Sequence, residues 1–156
     1  MTTIAVGAKA PSFSLPNQNN EVVYLSDFSG KWLVLYFYPK DDTPGCTVEA
    51  CNFRTTMQSF TDLRASVVGV SADSPEDHKA FVAKYDLNFD LLSDSSKEML
   101  EAYGVWGEQM WQGTKYMGIR RETYLLNPEG NVAYHWPNVR PDVHAQEVRA
   151  KITQLS

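Results

Sequence analysis

A length of 156 residues fits one domain, and a balance of 43% hydrophobic and 21% charged residues is ordinary for a globular protein. The formal net charge of −5 argues against nucleic acid or an anionic membrane as the main partner, because both attract basic surfaces. No run approaches the ~18 apolar residues of a membrane span, and residues 1–4 lack the basic and apolar regions of a signal peptide. We therefore expect a single cytoplasmic domain over residues 1–156, although a targeting peptide that had been removed would leave no trace.

The first half of the chain predicts strands followed by a long helix. Two short strands, at 13–15 and 22–25, enclose the turn 17–20. The apolar run 32–38 shows no alternation, which predicts a central strand covered on both faces. A helix is expected from about Pro44 to Leu63, with an apolar side formed by Val48, Phe53, Met57 and Phe60.

The second half continues this alternation and ends in a hairpin and a helix. A buried strand at 66–71 is followed by a helix that Ser74 caps, with Phe81, Val82 and Tyr85 buried. Next come a strand at 89–92, a helix from the cap Ser95-x-x-Glu98 to Tyr103 that Gly104 closes, and an irregular loop at 105–118. The chain ends with a hairpin of 122–126 and 132–136 and a helix from about Val143 to Leu155, which has Val148, Ile152 and Leu155 on one face. This order predicts an α/β fold in which helices flank a central mixed sheet. With its N-terminal hairpin extension, it is similar to the thioredoxin-like arrangement.

Two cysteines, Cys46 and Cys51, are too few for a disulfide scaffold. In a reducing compartment, such a close pair is redox-active or metal-binding more often than structural. A zinc site wants about four ligands, whereas His78, His135 and His144 lie far downstream and apart from one another. The metal interpretation is therefore disfavoured, and we expect no cofactor.

The stretch 38–51 follows the central strand and holds both cysteines. Thr43 can cap the helix, and Pro44 can take its first position, where a missing N–H costs nothing. Cys46 then falls in the first turn, where unpaired N–H groups and the helix dipole stabilise an anion and favour the reactive thiolate. The alternative is a buried, inert cysteine near a helix start.

The five-residue spacing from Cys46 to Cys51 constrains their chemistry. On a continuous helix, five residues advance ~7.5 Å and turn ~140°, so the two side chains diverge. Their Cα atoms would be about 8–9 Å apart, beyond the ~7 Å limit for a disulfide. Either the two never bond, or the helix start unwinds when they do.

The residues Pro39, Thr43 and Cys46 resemble the active-site pattern of peroxiredoxins: a proline, three residues, a threonine or serine, two residues and a cysteine. The run Thr-Pro-Gly-Cys-Thr, with a second cysteine five positions after the first, is similar to the Q-type branch, also called bacterioferritin comigratory protein. The resemblance covers nearly the whole chain, and the other segments that carry it are Gly7-x-x-Ala10-Pro11-x-Phe13, Val70-Ser71-x-Asp73-Ser74-Pro75, Leu91-Leu92-Ser93-Asp94, Gly104-Val105-Trp106-Gly107 and Arg121 ahead of Tyr124-Leu125-Leu126.

This resemblance implies a thiol-dependent peroxidase that reduces hydrogen peroxide and alkyl hydroperoxides without haem, metal or flavin. Cys46 would be the peroxidatic cysteine that becomes a sulfenic acid. Cys51 would resolve it as an intramolecular disulfide, which thioredoxin or a similar dithiol would reduce. A monomer is expected rather than a dimer.

The resemblance also implies supporting roles for four residues. Thr43 would hydrogen-bond the thiolate or the peroxide, and Arg121 would stabilise the thiolate and the charge moving to the leaving oxygen. Pro39 would shape the pocket and shield Cys46 from water, and Glu49 would orient the arginine.

Simpler interpretations stand beside these roles. Thr43 is explained by capping alone, and Glu49 by a favourable place near the positive end of the helix dipole. Arg120 and Arg121 would point to opposite faces of the sheet, so only one can reach the site, and the resemblance selects Arg121. Lys40 is interpreted as a solvated charge in the turn.

The aromatic and methionine side chains in 105–118 have three interpretations. They could pack over the core, form a collar around the thiol pocket that binds apolar hydroperoxides or the reductant, or form an association surface. They are Trp106, Met110, Trp111, Tyr116 and Met117.

Two rival functions remain open. A thioredoxin-like disulfide oxidoreductase uses Cys-x-x-Cys, whereas four residues separate Cys46 and Cys51 here. The other rival is a non-enzymatic, redox-sensing binding module with incidental cysteines. A cysteine hydrolase would need a histidine base, and no histidine lies in 38–51.

Overall fold

The computed structural model describes residues 3–156, in which nine strands and four α-helices follow one another. Met1 and Thr2, on which part of the signal-peptide prediction rests, lie outside the described residues. Within that range, no helix is both long enough and apolar enough to cross a bilayer. The elements are β1 (Ser14–Pro16), β2 (Val22–Tyr24), β3 (Trp32–Phe37), α1 (Pro44–Asp62), β4 (Ala65–Ser71), α2 (Pro75–Tyr85), β5 (Asp90–Ser93), α3 (Glu98–Ala102), β6 (Trp106–Trp111), β7 (Thr114–Ile119), β8 (Glu122–Leu126), β9 (Val132–Trp136) and α4 (His144–Leu155), with a short 3-10 helix at Leu25–Phe28.

Five strands form the central sheet in the order β5-β4-β3-β8-β9. The pairs β3–β4 and β4–β5 are parallel, whereas β8 runs antiparallel to both β3 and β9. The strands β1 and β2 pair separately as an N-terminal hairpin. The predicted mixed sheet with a hairpin extension is confirmed.

The central strand β3 is buried on both faces, as its unbroken apolar run predicts. Leu33, Leu35 and Phe37 belong to one core, which α3 and the N-terminal hairpin cover. Val34 and Tyr36 belong to the other, which contains buried side chains of α1, α2 and α4. The strand therefore ends between two rigid layers, and the turn that follows it starts from a fixed point.

The long helix α1 begins where the sequence predicts, at Pro44 after the N-cap Thr43. Phe53 and Phe60 are fully buried beneath it, but Val48 is 43% exposed, so its assignment to the apolar side is wrong. The helix α2 also begins as predicted, because Ser74 Oγ accepts a hydrogen bond from the backbone of the third helical residue at 3.1 Å.

Two predictions about helix ends are wrong. Ser95 does not cap α3, which starts at Glu98 after Lys97 in a left-handed conformation. The carboxylate of Asp94 instead accepts the backbone N–H of Leu100 at 2.8 Å. At the other end of the chain, Leu155 is 43% exposed rather than part of the buried face of α4.

The segment 105–118 is not the irregular loop that the sequence predicts. The strands β6 and β7 pair antiparallel across a two-residue turn, Gln112-Gly113, in which both residues have positive φ. Such turns match the twist of the two strands they join. Trp106 packs against the core, whereas Met110, Trp111, Tyr116 and Met117 are exposed.

Candidate active site

The thiol of Cys46 lies in the first turn of α1, nine residues after the end of the buried strand β3, and Cys46 is 1% exposed. Thr43 makes no side-chain cap bond to this turn. The N–H groups at a helix start and the helix dipole together favour an anion at this place. The structure therefore places a buried sulfur at the positive end of the helix dipole.

The guanidinium of Arg121 donates from Nη2 to Cys46 Sγ at 3.3 Å. Arg121 directly precedes β8, and the antiparallel register that pairs Phe37 with Glu122 brings it to the edge of the sheet where α1 starts. Arg120 points elsewhere and donates to Glu122 at 2.9 Å and to the carbonyl of Gly104. Only one of the two adjacent arginines faces the sulfur, and it is Arg121.

The residue Gly45 leaves room for this guanidinium. A Cβ at this position would lie 3.1 Å from Arg121 Nη2, closer than ordinary van der Waals contact. Arg121 could relax only by changing its bonds to Cys46 and Glu49, so a side chain here conflicts with the arrangement.

The carboxyl group of Glu49 is buried on the same guanidinium, with Arg121 Nη1 donating to Oε1 at 2.7 Å. Burial raises the pKa of Glu49 to about 7, although the positive charge of Arg121 opposes the rise. Its Oε2 is buried without a hydrogen-bond partner among residues 3–156. Burial disfavours the charge on Arg121, but Glu49 and Cys46 outweigh it and raise the pKa of the guanidinium.

The hydroxyl of Thr43 donates to the carbonyl of Lys40 at 2.9 Å rather than to the sulfur. Its proton is thereby used within the turn, and its oxygen lone pairs remain available as acceptors. In this state the Thr43 oxygen can accept a hydrogen bond from a small molecule that carries an O–H group. Lys40 itself is exposed.

The cysteine pair is unbonded, and Cys51 is half-buried on the same uninterrupted helix. The separation predicted for two cysteines five residues apart on a continuous helix therefore applies, and the two sulfurs cannot form a disulfide while the first turns of α1 stay helical. Pro39, expected to shield Cys46, is exposed at the surface after β3, so that role rests on the resemblance alone.

The structure brings a histidine near this site that the sequence did not predict. His144, at the start of α4, is fully buried, and its ring meets Phe53 edge-on at 5.9 Å. Burial lowers the pKa of His144, and the charge of Arg121 lowers it further, against the effect of Glu147. Its two ring nitrogens contact Thr123 and Glu147, at 2.8 and 3.3 Å, so neither is free to act as a base for Cys46.

A second buried histidine, His78, was also missed as a structural partner of the cysteine stretch. It bonds the side chain of Asp41 at 2.6 Å. One sequence signal could have found it, because His78 falls on the same face of α2 as Phe81 and Tyr85, at helical spacing.

These groups together can stabilise a thiolate and a developing negative charge beside it. The guanidinium of Arg121 supplies the positive charge, and the helix start supplies N–H donors. A sulfur in such a setting is a nucleophile, and a neighbouring hydroxyl can orient a small substrate that carries an O–H group.

Known proteins are similar to this chain over nearly its whole length. The sequence profile of the AhpC/TSA family matches residues 6–135. Peroxiredoxin Bcp of Bacillus subtilis is 45% identical over 154 residues, which are 99% of this chain and 98% of the relative. Peroxiredoxin Bcp of Escherichia coli is 41% identical, with 92% of each chain covered.

Solved structures of similar proteins share the fold of this chain over nearly its whole length. A cysteine mutant of PrxQ from Xylella fastidiosa has a TM-score of 0.93 at 33% identity, with 99% of both chains covered. The bacterioferritin comigratory protein of Xanthomonas campestris, studied for alkyl peroxide reduction, has a TM-score of 0.89 at 35% identity, also with 99% of both chains covered.

Proposed function

Because the chain belongs to the AhpC/TSA family and is a peroxiredoxin, a thiol-dependent peroxidase, we propose that Cys46 is the residue that reacts with the peroxide. The observation that carries this proposal is the bond from Arg121 Nη2 to Cys46 Sγ at 3.3 Å, in a buried first helical turn. Cys51 has no such partner among the described contacts and is the resolving residue.

In the first step, the Cys46 thiolate attacks the terminal oxygen of the hydroperoxide. An S–O bond forms as the O–O bond breaks, so sulfur loses two electrons and the peroxide gains them. The leaving oxygen takes one proton from solvent and departs as water or an alcohol. Arg121 stabilises the negative charge on this oxygen, and the Thr43 oxygen accepts the peroxide O–H.

In the second step, the helix start unwinds and the Cys51 thiol attacks the sulfenic acid. The new S–S bond replaces the S–O bond, and water leaves. An external dithiol then returns both cysteines to the thiol state. We infer thioredoxin or a similar protein as this reductant, since the disulfide must become exposed to be exchanged.

Glu49 orients Arg121 in this proposal, and Pro39 limits access to the thiol. The substrates are hydrogen peroxide and alkyl hydroperoxides, and the relative from Xanthomonas campestris supports the second class. We further propose a single-domain monomer that acts in the cytoplasm.

The experiment mixes reduced protein with one equivalent of hydrogen peroxide and follows the product by mass. The wild type should lose two hydrogens per chain through the disulfide, and Cys51→Ser should stop at a sulfenic acid that a dimedone-type reagent traps. Cys46→Ser should not react appreciably, because the remaining thiol lacks the Arg121 contact.

The same experiment separates the rival functions. Oxidation of Cys46 no faster than that of a free thiol would contradict the peroxidase role and favour a redox-sensing module. Catalysis of disulfide exchange between other proteins without peroxide consumption would favour the disulfide oxidoreductase. A reducing system of thioredoxin and its reductase, added to excess peroxide, tests the proposed reductant by turnover.

A further inference from the structure

A buried polar network lies under the turn that leads to Cys46, outside the groups used above. His78 of α2 is fully buried, with Nε2 3.0 Å from the carbonyl oxygen of Leu92 and Nδ1 2.6 Å from Asp41 Oδ2. The hydroxyl of Tyr38 donates to the other oxygen of Asp41 at 2.5 Å. The network therefore joins the ends of β3 and β5, α2 and the turn before α1.

The proton positions in this network follow from its partners. A carbonyl oxygen only accepts, so His78 Nε2 carries a proton and donates it to Leu92. The short contact between Nδ1 and Asp41 then holds one proton, which sits either on the ring, as an ion pair, or on the carboxyl. In both cases it is a strong hydrogen bond between buried groups, and breaking it would leave a buried polar atom without a hydrogen-bond partner.

Further hydrogen bonds hold this turn against α2 and the end of β4. The backbone N–H of Asp41 donates to Asp73 Oδ2 at 2.9 Å. The next residue, Asp42, is left-handed, with φ of 57°, and its carboxylate accepts from Lys84 at 2.8 Å and from the Tyr85 hydroxyl at 2.7 Å. Two successive residues of the turn are thus held by α2 and the end of β4.

The cluster of Asp41, Asp73 and His78 is better explained by these bonds than by a cation. Its possible ligand atoms lie within 4.8 Å of one another. However, Asp73 Oδ2 already accepts from Ser71 at 2.7 Å and from the backbone of Asp41, and the close oxygen of Asp41 shares a proton with His78. A cation would have to displace each of these donors.

Cys46 follows this fixed turn by four residues, whereas its partner Arg121 comes from β8. The alignment of sulfur and guanidinium therefore depends on how the turn sits on α2. We propose that His78 is a positioning residue, which through its bond to Asp41 holds the turn and thereby favours the reaction of Cys46 with peroxide over resolution by Cys51. This inference rests on the proposed roles of the two cysteines.

The two chemical steps require different states of the same segment. Reaction with peroxide needs the sulfur beside Arg121 in an intact first turn, whereas the disulfide needs that turn to unwind. A bond that stabilises only the intact state favours the first step and opposes the second. Weakening it should therefore change the two rates in opposite directions.

The test uses His78→Phe, which keeps a ring in the buried site and removes both nitrogens. The rate of sulfenic acid formation is measured in the Cys51→Ser background, and the rate of disulfide formation in the protein with both cysteines. Because the lost bond joins His78 to the carboxyl group of Asp41, the ratio of the first rate to the second should fall by about tenfold or more. Tyr38→Phe, a milder change that keeps the stacked ring, should lower the ratio by a few-fold and serves if His78→Phe does not fold.

The matched control is His135→Phe, which removes another histidine–carboxylate bond, to Glu122 at 2.7 Å, away from the turn. It should leave the ratio within about twofold of the wild type, whatever it does to stability. If His78→Phe and Tyr38→Phe leave the ratio unchanged, or lower both rates by one factor, His78 is merely structural and the inference is wrong. Failure of the wild type to react faster than Cys46→Ser would instead reject the proposed function itself.

Discussion

Gly45 has no side chain, and this leaves space for the guanidinium that contacts the Cys46 thiol. Its position sits against the guanidinium that Cys46 and Glu49 share, and a Cβ there would come within 3.1 Å of Arg121 Nη2. The guanidinium is held by two bonds, at 2.7 and 3.3 Å, so it has little freedom to retreat.

We predict that Gly45→Ala slows sulfenic acid formation about fivefold to tenfold, because a shift of the guanidinium by a few tenths of an ångström raises the activation free energy by about 1–1.4 kcal/mol. Stability should not fall, since alanine is favoured over glycine in a helix by about 1 kcal/mol. Stopped-flow oxidation and thermal unfolding measure the two effects.

Val48→Ala, an exposed change one turn away, is the control for altered helix propensity. It should leave the oxidation rate as in the wild type. Equal rates for Gly45→Ala and Val48→Ala would show that the guanidinium tolerates the added methyl group.

At the scale of elements, the helix α1 is fastened at two places around the cysteines. On one side, the turn Asp41-Asp42 is bonded to α2. On the other, Phe53 is fully buried and stacks on Tyr36 with ring centroids 4.8 Å apart. The stretch between these points, residues 43–52, buries Cys46 and Ala50 in the core but no aromatic side chain, so it is the part of α1 that can unwind with the least loss of core packing.

We predict that disulfide formation loosens the turn at Asp41, exposes residues 43–52, and leaves α1 folded from Phe53 onward. Amide hydrogens of residues 47–51 should exchange faster in the oxidised than in the reduced protein, whereas those after Phe53 should keep their protection, because the Cα atoms must approach from about 8–9 Å to below ~7 Å. Hydrogen exchange followed by mass spectrometry of peptides measures this.

The Cys51→Ser protein treated with peroxide is the control, since it reaches the sulfenic acid but cannot form the disulfide. It should keep the reduced pattern. Loss of protection along the whole of α1 on oxidation would contradict the prediction that the helix stays folded from Phe53 onward.

At the scale of the whole molecule, the buried carboxyl of Glu49 links stability to pH. Burial raises its folded-state pKa from 4.5 to about 7, with Arg121 opposing the rise. Between these values the folded protein binds more protons than the unfolded chain, so stability must fall as the pH rises through this window. Above about pH 7 this group adds no further change.

We predict that Glu49→Gln removes this loss. The free energy of unfolding of the variant, relative to that of the wild type, should increase by about 3 kcal/mol from pH 4.5 to pH 7.5, since one pKa unit corresponds to about 1.4 kcal/mol. Urea denaturation at a series of pH values gives the difference. A difference that stays constant across the window would mean that Glu49 is charged in the folded protein at low pH as well.

Other titrating groups cancel in this comparison when they are common to both proteins. Glu129→Gln, in the turn between β8 and β9, is a suitable control, because its exposed carboxyl makes no ion pair among residues 3–156. It should give a much smaller dependence on pH.

The exposed hairpin of β6 and β7 remains without an assigned role at this scale. Trp111 and Met110 are more than 60% exposed, so the packing interpretation holds for Trp106 and not for the tip. The collar and the association surface both remain predictions, as does the monomer.

Local sequence signals predict most of the helices and strands and the position of the thiol in the first turn of α1. An unbroken apolar run predicts β3, and Thr43 with Pro44 predicts where α1 begins, because these signals act between residues a few positions apart. The helical spacing of Cys46 and Cys51 likewise follows from local geometry. The family was recognisable for the same reason, since its pattern is contained in one short stretch.

Which side chains surround that thiol depends on how distant parts of the chain pack together. The register of β8 on β3 places Arg121 beside Cys46, 75 positions away, and the bond from His78 to Asp41 spans 37 positions. The hairpin at 106–119 and the capping of α3 by Asp94 were missed because no local periodicity marks them. Such contacts depend on how packed layers align, and neither hydrophobic period nor turn chemistry records that alignment.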